Sequence, residues 1–363
     1  MNHEQAKLKI EKKLKETVDA NSKLLNAYLL IHSDKLKIHW NMAHGQTDEF
    51  LAKPEQPYHT ASIGKTFTAM IIAMLAEEGK LSFREPISKY LPEDILLDLH
   101  NYKGKDYSTE ILIEHLIANT SGLPDYYEDK PKQGKAFLEI LLEDPSRNWT
   151  PQETIQWSKQ HLSPRFSPGK GCHYTNTGFN LLGLIIEEIT SKRYHVVLHE
   201  YIFQPLGMNH SYLSQYSEPA IKSSDPVANI YLMEKQIKVE DHLSFTSIYA
   251  AGQTVSTSED LLLFMKALAE NKLIPDESLL TMQQWRKLWI GVDYGSGLMR
   301  VRMMPFTQKY NVWGHLGSIG SFMLYNPAMD VYIIGNFNNA AYLAKSIRYV
   351  FSILRTLSKC EKE

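Results

Sequence analysis

Hydrophobic and polar positions divide the chain into three regimes. Residues 24–31 form an apolar run, a short polar break follows at Ser33-Asp34, and residues 35–40 continue. This pattern predicts a β-hairpin. Ahead of it, Glu4, Lys7, Lys9, Glu11, Lys12, Lys13, Lys15 and Glu16 mark a charged amphipathic helix. Phe67, Met70, Ile71, Met74 and Leu75 recur at helical spacing from Ser62 onwards, and Gly79 is a natural stop. Residues 81–245 are punctuated by prolines and read as loops and short helices, with an apolar helix over 179–189. Ser256-Thr257-Ser258 supply cap residues for a helix over 259–268. Beyond it, 294–301, 310–313, 320–325 and 331–336 read as short strands, and a helix over 340–357 closes the chain. Strands from both ends with a helical middle predict one α+β fold. Residues 1–80 and 246–363 would build a discontinuous sheet domain. Residues 81–245 would form a mostly helical insertion, with an active site at the junction.

Composition narrows the possibilities. The 363 residues include 43% hydrophobic and 22% charged positions, as in an ordinary globular protein. A formal net charge of -2 gives no reason to expect a nucleic-acid partner. No run approaches the roughly 18 apolar residues of a membrane span. Two cysteines rule out a disulfide framework, and the N-terminal helix lacks the apolar core of a secretory signal. The expected location is the cytoplasm.

Candidate chemistry begins at Ser62-Ile63-Gly64-Lys65. Residues three apart share a helix face, so the Lys65 amine can take the Ser62 proton while the hydroxyl attacks a carbonyl. A lysine in a first turn opposes the helix dipole, which lowers its pKa. The blander reading is that Ser62 caps the helix. A second S-x-x-K, Ser167 to Lys170, contains the turn signal Pro168-Gly169 and shows how common the pattern is. Tyr174-Thr175-Asn176 combines a phenol able to relay a proton with an amide that both donates and accepts; a packed Tyr and a turn Asn would look the same. In Trp313 to Gly320 the small residues permit close backbone approach, and a free amide on an edge strand can serve an oxyanion. His195 and His199 have metal-pair spacing without the glutamate of H-E-x-x-H, and Cys172-His173 has no partner cluster, so neither a metal nor a cofactor is expected. No G-x-S-x-G elbow, dinucleotide fingerprint or P-loop is present.

Taken together, Ser62/Lys65, Tyr174/Asn176 and His315/Gly317 resemble in order and separation the serine hydrolases of the β-lactamase and penicillin-binding-protein superfamily. The likeness is to the class C β-lactamase-like branch with its esterases, D-aminopeptidases and DD-peptidase-like members. Gly79-Lys80-Leu81, the Asn119 to Pro124 stretch and Ala251-Gly252 look like segments of that branch. The resemblance implies an antiparallel sheet flanked by the terminal helices. It implies Ser62 as acylated nucleophile, Lys65 as its proton acceptor and Tyr174 in proton transfer. Asn176 would hold the substrate, with His315 and Gly317 beside it. The backbone N–H groups of Ser62 and Ser318 would form the oxyanion hole. Tyr126 and Tyr127, just after the Ser121 to Pro124 turn, are further candidates for a wall of the cleft.

The sequence departs from the pattern at the third motif, where Lys-Thr-Gly is usual. His315 and Leu316 supply neither a fixed charge nor a hydroxyl, so carboxylate recognition is expected to be weak. The expectation is therefore hydrolysis of an ester, amide or lactam carbonyl in a small or short peptide-like substrate, with ester-type activity favoured. The alternatives are D-amino peptidase or DD-carboxypeptidase-like activity, or a slowly acylated binding protein.

Overall fold

The computed structural model describes residues 1–360. Its centre is a nine-stranded antiparallel sheet drawn from both ends of the chain. The strands run in the order Arg286–Trp289, Val292–Tyr294, Met299–Val301, Val312–Leu316, Phe322–Asn326, Val331–Asn336, Asn26–Ser33, Ile38–Thr47 and Phe50–Leu51. Asn26–Ser33 pairs with the late strand Val331–Asn336, Tyr28 opposite Asn336 and Ile31 opposite Ile333. This pairing joins the two ends of the chain.

Both faces of the central strands are covered, which is why they read as unbroken apolar runs. Successive side chains point to opposite faces. Ala27, Leu29 and Ile31 pack with Ala6, Ile10, Leu14 and Val18 of helix His3–Asp19 and with Tyr349, Val350, Ile353 and Leu354 of helix Leu343–Leu357. Burying each of Ile10, Leu14 and Val18 is worth about 1.5–3 kcal/mol. Asn2 caps the first helix in a reciprocal arrangement with Gln5. On the other face Tyr28 and Leu30 join Phe67 and Met70 of helix Gly64–Glu77 and Phe264 of helix Ser258–Ala269. A third cluster, with Tyr126, Phe137, Trp149, Trp157 and Phe245, lies within the helical region.

Some expectations shift. Residues 294–301 are the facing ends of two strands, Val292–Tyr294 and Met299–Val301, rather than one run. The strand carrying His315 is interior, flanked by Met299–Val301 and Phe322–Asn326. The Met299–Val301 partner reaches only Gly314, so one side of the backbone is free from His315 onward. The expected edge is local to the end of the strand. Among the described residues, no helix is long and apolar enough to cross a membrane.

Candidate active site

Ser62 is held by anchoring of the residues just before it to distant parts of the chain. Strand Tyr58–His59 pairs with Thr254–Ser256, and Thr60 N–H donates to Thr254 O at 2.9 Å. Ser321 Oγ donates to Thr60 O at 2.7 Å, and Asn336 Nδ2 to His59 O at 2.9 Å. These bonds tie the segment to the main sheet and hold Ala61 at φ +50. Such a conformation costs of order 1–3 kcal/mol in a non-glycine residue. Ser62 does not cap helix Gly64–Glu77. It lies in the 3-10 turn Ala61–Ile63 just before it, with no side-chain cap bond at either start.

Backbone crowds this turn from two sides. A Cβ at Gly252 (φ +144) would lie 2.5 Å from Ala61 O and 3.2 Å from Ser62 N. A Cβ at Gly317 would lie 2.0 Å from Ser321 Oγ and 2.9 Å from Thr60 O. Only glycine permits either approach. Gly317 N–H donates to Ser321 O at 2.8 Å and Asn339 N–H to Ile319 O at 2.8 Å, which pins the turn after His315. Among the described residues, neither the Ser62 N–H nor the Ser318 N–H meets an acceptor.

Lys65 is fully buried. Its Nζ lies 3.4 Å from Ser62 Oγ, donates to Asn176 Oδ1 at 2.5 Å and to Ala251 O at 2.7 Å, and stands 4.8 Å from the centre of the Tyr174 ring. Burial lowers its pKa to about 7, against the opposing pull of Asp125 and Glu128. A neutral amine has two hydrogens and one lone pair. With the hydrogens directed at Asn176 and Ala251, the lone pair is left for the Ser62 hydroxyl.

Asp125 organises this arrangement, and the sequence reading missed it. It is buried and accepts from Asn176 N–H at 2.9 Å, from Asn176 Nδ2 at 3.0 and 3.1 Å, and from the Tyr127 and Glu128 N–H groups. Every contact donates to it, so a carboxylate fits the site and a carboxylic acid has no acceptor for its proton. Burial pushes the carboxyl above its usual range, while Asn176 and Lys65 pull it back. The only signal in the sequence was adjacency: Asp125 directly follows the Asn119 to Pro124 stretch. Asn119, at φ +56, accepts from Thr175 N–H at 3.1 Å through Oδ1, and Pro124 O accepts from Thr175 and Thr177 hydroxyls. That loop therefore docks on the start of helix Asn176–Thr190 and brings Asp125 beneath Asn176.

Asn176 Oδ1 accepts from Lys65 and one Nδ2 hydrogen is held by both Asp125 oxygens, so Asn176 positions the amine and keeps its second N–H for a substrate. One assignment is corrected, that of Tyr126. It is fully buried, its hydroxyl donates to Ser247 O at 2.7 Å and its ring packs against Phe137, 5.0 Å between centres. Tyr127, the other candidate, lines the open space together with Glu128. Exposed and buried aromatics look alike in sequence, and Tyr126 satisfies its hydroxyl internally.

Tyr174 lies beside Lys65 with a buried hydroxyl that has no hydrogen-bond partner among the described residues. Burial raises its pKa well above the ordinary value, and Ser62 is the neighbour that most favours the ionised form. His315 is fully buried, its ring 6.3 Å from that of Tyr174 and 6.0 Å from that of Tyr294. Burial and the Lys65 charge hold its pKa down at about 3, so it is neutral. Its Nδ1–H donates to Leu316 O at 2.7 Å, leaving Nε2 as an unpartnered acceptor. Ser62, Lys65, Tyr174, Asn176, His315 and the Gly317–Ser318 turn are thus brought together. Ser167 and Lys170 form a turn, Lys170 N–H to Ser167 O at 3.1 Å, and His195 and His199 are spent on Tyr216 and Ser217. Among the described residues, no group of three or more metal-ligating side chains occurs.

A cavity of about 400 Å³ has Ala61, Gly252 and Ser318 in its wall; Ala61 directly precedes Ser62, which is not itself among the lining residues. Most of the remaining lining is apolar, including Leu138, Ile230, Leu232, Val239, Phe245 and Ile248.

The fold and family are those of a serine hydrolase. Residues 20–348 match the Beta-lactamase family model, and the chain belongs to that family. It is 28% identical over 263 residues to penicillin-binding protein 4* of Bacillus subtilis (strain 168), covering 69% of this chain and 54% of that one. The chain spans about half or less of the length of the curated relatives it matches. Among solved structures it is similar to a D-stereospecific amidohydrolase from Streptomyces sp., at 26% identity and a TM-score of 0.78 over 94% of this chain and 97% of the other. A D-amino acid amidase from Ochrobactrum anthropi SV3 shares the fold at 22% identity and a TM-score of 0.78, covering 98% of each chain.

Proposed function

We propose that the protein hydrolyses small carboxylic esters, and more slowly amides, through an acyl-enzyme on Ser62. Lys65 accepts the Ser62 proton as the hydroxyl attacks. The tetrahedral oxyanion is stabilised by the Ser62 and Ser318 N–H groups, each such donor being worth about 2.7–4 kcal/mol in related chemistry. Tyr174 and Lys65 pass the proton to the leaving group, and water then releases the acid. The observation that carries this reading is the buried Lys65 amine, held by two acceptors with Ser62 Oγ at 3.4 Å. The slower amide activity is supported by the similarity to the D-stereospecific amidohydrolase from Streptomyces sp..

Ester preference over β-lactams rests on His315 and Leu316. A neutral imidazole and an alkyl group provide no cation for the carboxylate of a penicillin. Steady-state hydrolysis of p-nitrophenyl butyrate and of a chromogenic cephalosporin tests this. The expected kcat/KM ratio is about 10²-fold or more in favour of the ester, the scale set by loss of a charged anchor. Faster turnover of the cephalosporin contradicts the reading. A stable adduct with no turnover of either would mean a slowly acylated binding protein.

A further inference from the structure

We propose that this protein docks on an anionic lipid surface through the end of the main sheet that lies opposite the Ser62 site. Apolar side chains of two turns enter the headgroup layer, and basic side chains of the terminal helices meet the lipid phosphates. The inference does not depend on the reaction at Ser62.

Strand Val312–Leu316 joins the two ends: Gly317 follows it at the site, and the 302–311 loop precedes it. Val301 pairs with both Val292 and Val312, so that loop and the Ile290-Gly291 turn lie side by side. Arg302 N–H donates to Gly291 O at 2.8 Å and ties them together. Large apolar side chains on this end reach into water. Phe306 is 99% and Ile290 91% exposed, and Met304 and Trp289 are exposed as well. Scattered single apolar residues are ordinary on a surface, whereas several on two bonded turns form a patch. Two grooves flank it. Trp289, Ile290 and Met303 line one with Ile347 and Phe351 of helix Leu343–Leu357; Met304 and Phe306 line the other, and Arg302 lines both.

Charge selects the occupant. Among the described residues, no acid lines either groove, whereas Arg302 and Arg348 do. Arg300 and Arg302 share one buried carboxylate, that of Asp293, at 2.7 and 3.0 Å, which leaves the group positive. The Arg355 guanidinium stands 5.8 Å from the centre of the Phe351 ring. With Lys9, Lys12, Lys13 and Lys359 it lines a groove between the terminal helices, in which Glu16 is the one acid among the described residues. The whole chain carries a net charge of -2, so these cations are a local concentration. A surface that is negative outside and apolar beneath complements both features, and the two attractions together hold more firmly than either alone. A second copy of the chain is the poorer occupant. It would bring like charges together, and the outermost strand Arg286–Trp289 exposes Arg286 and Lys287, which oppose edge pairing.

The test is cosedimentation of the protein with vesicles of phosphatidylcholine alone and of phosphatidylcholine mixed with phosphatidylglycerol. Binding to the mixed vesicles is expected to be about tenfold or more tighter, and to be lost at about 1 M salt, where the screening length is about 3 Å. Ile290→Ser combined with Phe306→Ser should weaken it about tenfold or more, the scale set by burying such side chains. Arg348→Glu combined with Arg355→Glu should weaken it at least as much. Leu97→Ser, which removes an apolar side chain exposed elsewhere, should bind as wild type does. Thermal unfolding like that of wild type shows that each variant is folded. No sedimentation with the mixed vesicles, equal binding to both kinds, or a Ile290→Ser/Phe306→Ser variant that binds as tightly as wild type overturns the inference. Self-association in sedimentation velocity that the same two substitutions abolish, without vesicle binding, assigns the patch to a second copy and overturns it as well.

Discussion

Replacing Lys65 by methionine is expected to lower kcat/KM for an ester by about 10²–10⁴-fold, the usual contribution of a positioned base. Methionine fills a similar volume in a fully buried site. It removes the amine and leaves Asn176 Oδ1 and Ala251 O without their donor, at about 1–3 kcal/mol for each unsatisfied group. The variant should therefore be less stable but folded. The pH profile separates loss of the base from loss of structure. A base must be neutral to accept a proton, and burial holds the Lys65 pKa at about 7. In wild type, kcat/KM should be low below that pH, rise through it and level off above it. In Lys65→Met the residual activity should show no step there. A wild-type profile that is flat across pH 7, or a variant that keeps the step, contradicts the role given to Lys65.

Removing Asp125 should have the second largest effect, on stability first. Asp125→Ala leaves the Asn176 side chain and three backbone N–H groups facing an empty, buried volume beside Lys65. Breaking a buried charge network from one side costs about 3–5 kcal/mol, and denaturant unfolding should show a loss of that order. Asp125→Asn keeps the volume and removes the charge, with one acceptor oxygen replaced by an amide nitrogen that faces donors. The Asp125 charge favours the protonated form of Lys65. Its removal should lower the Lys65 pKa, so the acid limb of the kcat/KM profile should move to lower pH. A limb that stays in place, or moves upward, means that Asp125 does not act through the amine.

Much of this architecture was legible in the chain. The apolar run from Ala27 to Ile31 marks a strand buried on both faces, because Leu29 and Leu30 enter different clusters. The terminal helix Leu343–Leu357 buries Ser346, Tyr349, Val350, Ile353 and Leu354, a spacing that only a helix produces. Local spacing also placed Ser62 beside Lys65. The cause of the lowered amine pKa was less legible: the sequence suggests the helix dipole, whereas burial is the largest influence. What spacing could not convey was long-range satisfaction of polar groups. That Asn176 also holds the Lys65 amine shows only once Asp125, 51 positions earlier, is seen to orient its amide. Tyr126 reads as a cleft wall until Ser247, 121 positions later, takes its hydroxyl. Likewise the free backbone after Gly314 depends on where the neighbouring strand ends, which no residue of that strand encodes by itself.

The most direct test of the Ser62 assignment is intact-protein mass spectrometry after incubation with a fluorophosphonate ester. Wild type should gain one phosphonyl group, peptide mapping should place it on Ser62, and Ser62→Ala should gain nothing. The same adduct on Ser62→Ala, or none on the wild-type protein, would contradict a nucleophile at that position.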